Sequence, residues 1–255
     1  MRLISRGFEI DYEVAGDGDS VIVFIPGQLQ AGEDFIDAGY TRALGSTYRV
    51  VTIDPLGYGK SDKPHTEDSY HLDGRAADVR AVLNAVGADR AVLWAYSMGV
   101  ISAEAFAKEF PEMVEALVLG GMPVGFDARA RDNVFSPAAI LLESEGLAGY
   151  IRETMPFLAE STRQLFLERN DPTAVAASSR ACRFSYAAED APLPKMTFNY
   201  AGEAESWFDI AVAIADSKGI AFEGVPGADH GRAFRDIETV IPMVLSFLAS
   251  RANTA

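Results

Sequence analysis

Cysteine occurs once in the 255 residues, at Cys182, and histidine only three times, at His65, His71 and His230. One cysteine excludes a disulfide scaffold and fits a reducing compartment. Three histidines far apart in sequence show no metal-ligand spacing, so neither a metal nor another cofactor is expected. Basic residues are also scarce. Lys plus Arg number 22 against 37 Asp plus Glu, a net charge of −15. That balance argues against nucleic acid and against an anionic membrane surface, both of which need clustered Lys and Arg. No uncharged apolar run approaches the roughly 20 residues of a membrane span. Arg2 and Arg6 interrupt the N-terminal segment before a signal-peptide core can form, and no lipidation signal is present. A cytoplasmic protein acting on a small molecule is the expectation, with its oligomeric state unspecified.

What the chain has is the profile of a soluble globular protein, 49% apolar and 23% charged. Short apolar runs alternate with helical periods. Val21–Ile25, Arg49–Ile53 and Ala91–Ala95 are continuous apolar runs or nearly so, as strands buried on both faces require, and Val114–Leu119 is a fourth. Helical patterns fall at 33–44, 71–86 and from Ser97 to Phe110. Strands alternating with helices imply a mostly parallel central sheet with helices on both faces. From 124 to 190 the rhythm becomes helical only, with Asp132, Ser136, Pro137, Asp171 and Pro172 as turns or helix starts. Strand patterns return at 196–200 and 220–222, with helices near 206–217 and 237–250. The expected organisation is an α/β core from 1 to 123, a helical insertion from 124 to 190, and the rest of the core from 191 to 255.

Ala95-Tyr96-Ser97-Met98-Gly99 lies between a buried strand and a helix. A small-x-Ser-x-Gly turn in that setting is a nucleophile elbow: it strains the serine backbone and lifts the hydroxyl above the sheet. The N–H of Met98 then faces a forming oxyanion. An ordinary helix cap is the alternative use of such a serine. A serine hydroxyl needs a base, and on such sheets the order is serine, acid, histidine. His65 and His71 precede Ser97 and read as solvated loop residues. His230 follows the last strand, in a Gly-rich loop at the edge of the sheet. For the acid, Glu205 sits three positions after Gly202 on the loop following 196–200. Asp127, beyond the fourth strand, is the alternative, and Glu203 is a neighbour of Glu205. The loop Pro26-Gly27-Gln28-Leu29 follows the first buried strand, where Gln28 N–H can serve as a second oxyanion donor.

With these features the chain resembles the α/β-hydrolase family, of the single-domain esterase type. Asp54-Pro55-Leu56-Gly57-Tyr58-Gly59-Lys60-Ser61 resembles the family's Asp-x-x-Gly-x-Gly-x-Ser loop, whose glycines are structural. The resemblance places a helical lid at 124–190. Three departures stand out: Pro26-Gly27 where His-Gly is frequent, Ala95 for glycine, and Glu205 where aspartate is usual. Relatives that open epoxides or remove halides use an aspartate nucleophile, which Ser97 replaces here. The resemblance implies a serine hydrolase acting on a small to medium apolar ester, thioester or lactone. Some of Phe126, Phe135, Leu141, Leu142, Tyr150, Phe157, Phe166 and Phe184 should line its pocket. The same residues could serve carbon–carbon hydrolysis, hydroxynitrile cleavage or perhydrolysis, or a slow-turnover ligand receptor.

Overall fold

A computed structural model describes residues 1–156 and 158–252. Its strands are β1 (Arg2–Ser5), β2 (Phe8–Ala15), β3 (Val21–Ile25), β4 (Arg49–Ile53), β5 (Ala91–Tyr96), β6 (Val114–Gly120), β7 (Thr197–Gly202) and β8 (Ala221–Val225). Among the described residues they form one sheet in the order β1-β2-β4-β3-β5-β6-β7-β8. From β4 to β8 every pairing is parallel, and β1 and β2 join antiparallel at one edge. The apolar runs become the central strands because both faces are covered. Val23, Ile25, Leu93 and Leu117 pack against α3 (Leu72–Ala85) and α4 (Gly99–Glu109). Ile22, Phe24, Val92, Trp94 and Val118 pack on the opposite face against α1 (Gly32–Asp37), α2 (Tyr40–Leu44) and α10 (Ile237–Ala252).

Among the described residues, three helices lie between β6 and β7: α5 (Ala128–Thr154), α6 (Glu160–Arg169) and α7 (Pro172–Ala181). After β7 come α8 (Phe208–Lys218) and α9 (His230–Arg235). Asp171 caps α7 by accepting from Thr173 and Ala174 N–H, with Pro172 at its first position, the pairing of signals expected at a helix start. Phe157 lies outside the described residues.

The structure departs from the expected elements in four places. The helix expected over 33–44 is two helices, broken at Gly39, whose φ of 96° a helix cannot hold. Asp132, Ser136 and Pro137 lie inside α5 rather than at its start. Phe135, Ala139 and Leu142 are buried there at helical spacing, and that packing outweighs the proline's missing N–H. The break in α5 falls instead at Gly146, at φ 68°. β1 is short and mostly exposed, and carries too little apolar pattern to be read in advance.

Arg131 ties the stem of the helical segment together. Its side chain is buried and donates to the carbonyls of Phe126, Cys182 and Phe184 and to Glu189 Oε1. Parallel strands end on one side of the sheet, so the loops after β3, β5, β7 and β8 emerge together. The candidate site is built from them.

Candidate active site

Ser97 stands between β5 and α4 with φ 53°, one of three non-glycine residues at positive φ among those described. Its N–H donates to Gly120 O at 2.8 Å, which ties the turn to β6. Gly99 permits the close approach that produces this turn. A Cβ there would stand 2.3 Å from Ile25 O and 2.6 Å from Pro26 O. Ala95 is fully buried and paired with Ile25 and Leu119, so a methyl fits where glycine is frequent. Gly27 lets the loop after β3 lie against the serine, since a Cβ on it would meet Ser97 Cβ at 2.8 Å.

The structure brings His230 and Glu205 together: Nδ1 lies 2.8 Å from Oε2. His230 is the first residue of α9, with Asp229 as the cap, rather than a residue of an extended loop. Tyr96 fixes it from below by donating its hydroxyl to His230 O at 2.5 Å. Glu205 turns back on its own loop, accepting from Gly202 N–H at 2.9 Å and from the Trp207 indole N–H at 2.7 Å. Burial pushes the Glu205 carboxyl up, but the His230 hydrogen bond and charge, with the Gly202 and Trp207 donors, outweigh it. The net shift is downward and keeps the group ionised. An ionised carboxylate only accepts, so Nδ1 carries a proton toward Glu205 and Nε2 is the ring nitrogen left free of it.

The other acid candidates lie elsewhere. Asp127 caps α5, accepting from Ala130 N–H at 2.8 Å, and is exposed. Helix capping, not contact with His230, explains its place. Glu203 accepts from Gly227 N–H at 3.1 Å. His65 pairs with Asp171 at 3.0 Å, and His71 stacks on Phe184. In the Asp54 loop, the carboxylate receives Gly32 and Lys60 N–H, and a Cβ on Gly59 would collide with it at 2.1 Å.

Ser97, Met98, Gln28, Glu205 and His230 all line one cavity of about 860 Å³. Phe135, Leu141, Tyr150, Met155 and Phe166 form its wall on the side of α5 and α6. Phe126, Leu142 and Phe184 are not in that lining. Among the described residues, Gln28 and Met98 N–H donate to no protein acceptor, and neither Ser97 Oγ nor His230 Nε2 has a partner. The residues that carry two free backbone donors, a hydroxyl and an imidazole thus line one largely apolar chamber. Among the described residues no three His, Cys, Asp or Glu side chains converge as a metal-ligand set.

Trp207 and Tyr96 are site residues that sequence reasoning missed, and Tyr150, expected in the pocket wall, also bonds Gln28 there. Trp207 is two positions from Glu205, and that proximity is its one sequence signal. Tyr96 lies inside the elbow motif, where the motif leaves the residue type open.

Comparison with known proteins agrees with this architecture. The family model described as alpha/beta hydrolase fold matches residues 20–206. Epoxide hydrolase 1 of Caenorhabditis elegans is 41% identical over 82 residues, 32% of this chain and 20% of the relative. The 2-hydroxy-6-oxo-6-phenylhexa-2,4-dienoate hydrolase of Comamonas testosteroni is 35% identical over 130 residues, 48% of this chain and 42% of the relative. The chain thus covers less than half the length of these curated relatives. Among solved structures, a thermophilic esterase from Thermogutta terrifontis superposes with a TM-score of 0.80 over 98% of both chains, at 21% identity. The family match runs from β3 through the elbow at Ser97 to the loop that holds Glu205, and the chain belongs to the alpha/beta hydrolase fold family.

Proposed function

We propose that this protein is a serine hydrolase that cleaves a small to medium apolar carboxylic ester, thioester or lactone. The observation that carries the reading is Ser97 at φ 53°, opening on the same cavity as His230 with Glu205 at its Nδ1. In this reading Ser97 Oγ attacks the acyl carbonyl while His230 Nε2 takes its proton. Glu205 orients the imidazole and stabilises the imidazolium. Met98 and Gln28 N–H hold the oxyanion. His230 then protonates the leaving oxygen, or the leaving sulfur of a thioester. Water activated by the same nitrogen hydrolyses the acyl-enzyme.

Ser97 distinguishes this reading from epoxide opening, which uses an aspartate nucleophile in the family, despite the similarity to an epoxide hydrolase. In this reading the segment 124–190, set between the core parts 1–123 and 191–255, acts as a lid whose apolar wall selects the acyl chain. The buried Cys182 thiol fits a cytoplasmic setting. A second reading, carbon–carbon bond hydrolysis by the same residues, draws on the Comamonas testosteroni relative.

A series of p-nitrophenyl esters from acetate to octanoate tests the proposal. Turnover by the wild type, lost in a folded Ser97→Ala variant, is expected. Ester hydrolysis by Ser97→Ala at the wild-type rate contradicts it.

A further inference from the structure

The loop that carries Gln28 is held from outside its own strand and turn. Leu29 sits at φ 67°, a left-handed conformation that a branched-chain residue keeps only under restraint. Its carbonyl accepts from Arg169 Nη2 and Asn170 Nδ2, both at 3.0 Å. The Gln28 side chain is pinned at both ends. Tyr150 donates its hydroxyl to Oε1 at 2.6 Å, and Nε2 donates to Ser179 Oγ at 2.7 Å. Ser179 in turn donates to Val175 O at 2.9 Å. This order of donors leaves the amide one orientation. Tyr150 belongs to α5 and Ser179 to α7, more than 120 residues away in the chain.

We propose that Tyr150 and Ser179 are positioning residues. From the helical segment they clamp the Gln28 side chain, so that the Gln28 backbone N–H points at the place where the acyl oxygen gains charge. The inference rests on the serine-hydrolase reading and adds to it a dependence of the oxyanion site on the docked helices. The clamp accounts for three features together: a strained loop, an amide side chain bonded at both its oxygen and its nitrogen, and a backbone N–H with no protein acceptor among the described residues. An oxyanion donor is worth most when it is fixed before charge develops.

Ser179 is the sharper probe, because it is buried and absent from the cavity lining. Tyr150→Phe removes one hydrogen bond to Gln28, and Ser179→Ala removes one to Gln28 together with the bond within α7 to Val175 O. Each is expected to lower kcat on a p-nitrophenyl ester about tenfold, less than the 10²–10³ lost when a donor is deleted outright. For Ser179→Ala, KM should stay within about twofold, since the lost contact acts in the transition state. The double variant should be little worse than the poorer single one, because both act through Gln28. An apolar trifluoromethyl ketone, which forms an oxyanionic adduct with serine, should lose affinity in parallel with kcat/KM. The thermal midpoint of each variant reports whether it folds.

A Ser179→Ala variant with unchanged kcat, or one raising KM alone, overturns the clamp while leaving the serine-hydrolase reading intact. Additive losses in the double variant overturn it too. A wild type with no Ser97-dependent turnover on any ester overturns the reading, and the clamp with it.

Discussion

Trp207 donates its indole N–H to Glu205 Oε2 at 2.7 Å, the same oxygen that faces His230 Nδ1 at 2.8 Å. With Gly202 N–H on Oε1, both carboxylate oxygens are engaged before a substrate arrives. Glutamate has one more rotatable bond than aspartate, and these donors remove the freedom it adds.

Glu205→Gln keeps the shape and loses the charge. In a serine protease the corresponding Asp→Asn change lowers turnover about 10⁴-fold. A loss in kcat on the order of 10²–10⁴ is expected here. Trp207→Phe removes one donor and should cost kcat less, about tenfold. Asp127→Asn, which retains a good helix cap, should leave kcat within about twofold. Steady-state ester kinetics on the three variants checks this ordering, and inactivation by Asp127→Asn would reverse it.

How much of this can be read from the sequence depends on the range of the interaction. Continuous apolar runs reveal the central strands because burial on both faces constrains every position. The elbow at Ser97 is local and legible. His230 stands out because histidine is scarce. Glu205 is harder, for carboxylates are plentiful in a chain with 37 of them, and only its spacing from Gly202 favours it. The contacts of Tyr150 and Ser179 with Gln28 span more than 120 residues, and no local pattern encodes them. Pro137 misleads for a related reason: burial of Phe135, Ala139 and Leu142 overrides a local breaker.

Chain-length preference should respond to the helical wall. Phe135, Leu141 and Phe166 line the same cavity as Ser97. Phe135→Ala or Phe166→Ala is expected to shift the octanoate-to-acetate ratio of kcat/KM by roughly tenfold, the scale of one or two methylene contacts. The acetate rate should change much less. A ratio unmoved by either variant places the acyl pocket elsewhere.

Glu104 gives the fold a pH-dependent term. Burial pushes its carboxyl from 4.5 up to about 7, only partly offset by the Gly125 N–H and the charges of Lys108, Arg131 and Lys218. Between those two values the folded state holds a proton that the unfolded chain has released, so stability falls as pH rises through that window. Across the full window the effect is roughly 3 kcal/mol. Glu104→Gln stays neutral and can still accept from Gly125. Its stability relative to wild type should therefore grow from pH 4.5 to pH 7.5 in urea unfolding, and a constant difference would remove Glu104 as the cause.

Arg131→Met should weaken the stem of the helical segment. It strips donors from the carbonyls of Phe126, Cys182 and Phe184 and leaves Glu189 without its cation. A loss of about 3 kcal/mol or more is expected. At this chain length that lowers the thermal midpoint by several degrees. Calorimetry checks it, and an unchanged midpoint would show that the stem does not depend on this side chain.

Hydrolysis by this protein requires that Ser97 be a nucleophile activated by His230. Labelling with a fluorophosphonate, read by intact mass, tests that most directly because it needs no knowledge of the substrate. The wild type should gain one adduct per chain, on Ser97. Ser97→Ala should gain none, and His230→Ala should label at least a hundredfold more slowly, in keeping with the usual contribution of general-base catalysis of about 10²–10⁴. A wild type that stays unmodified, or an adduct that persists in Ser97→Ala, would contradict the account.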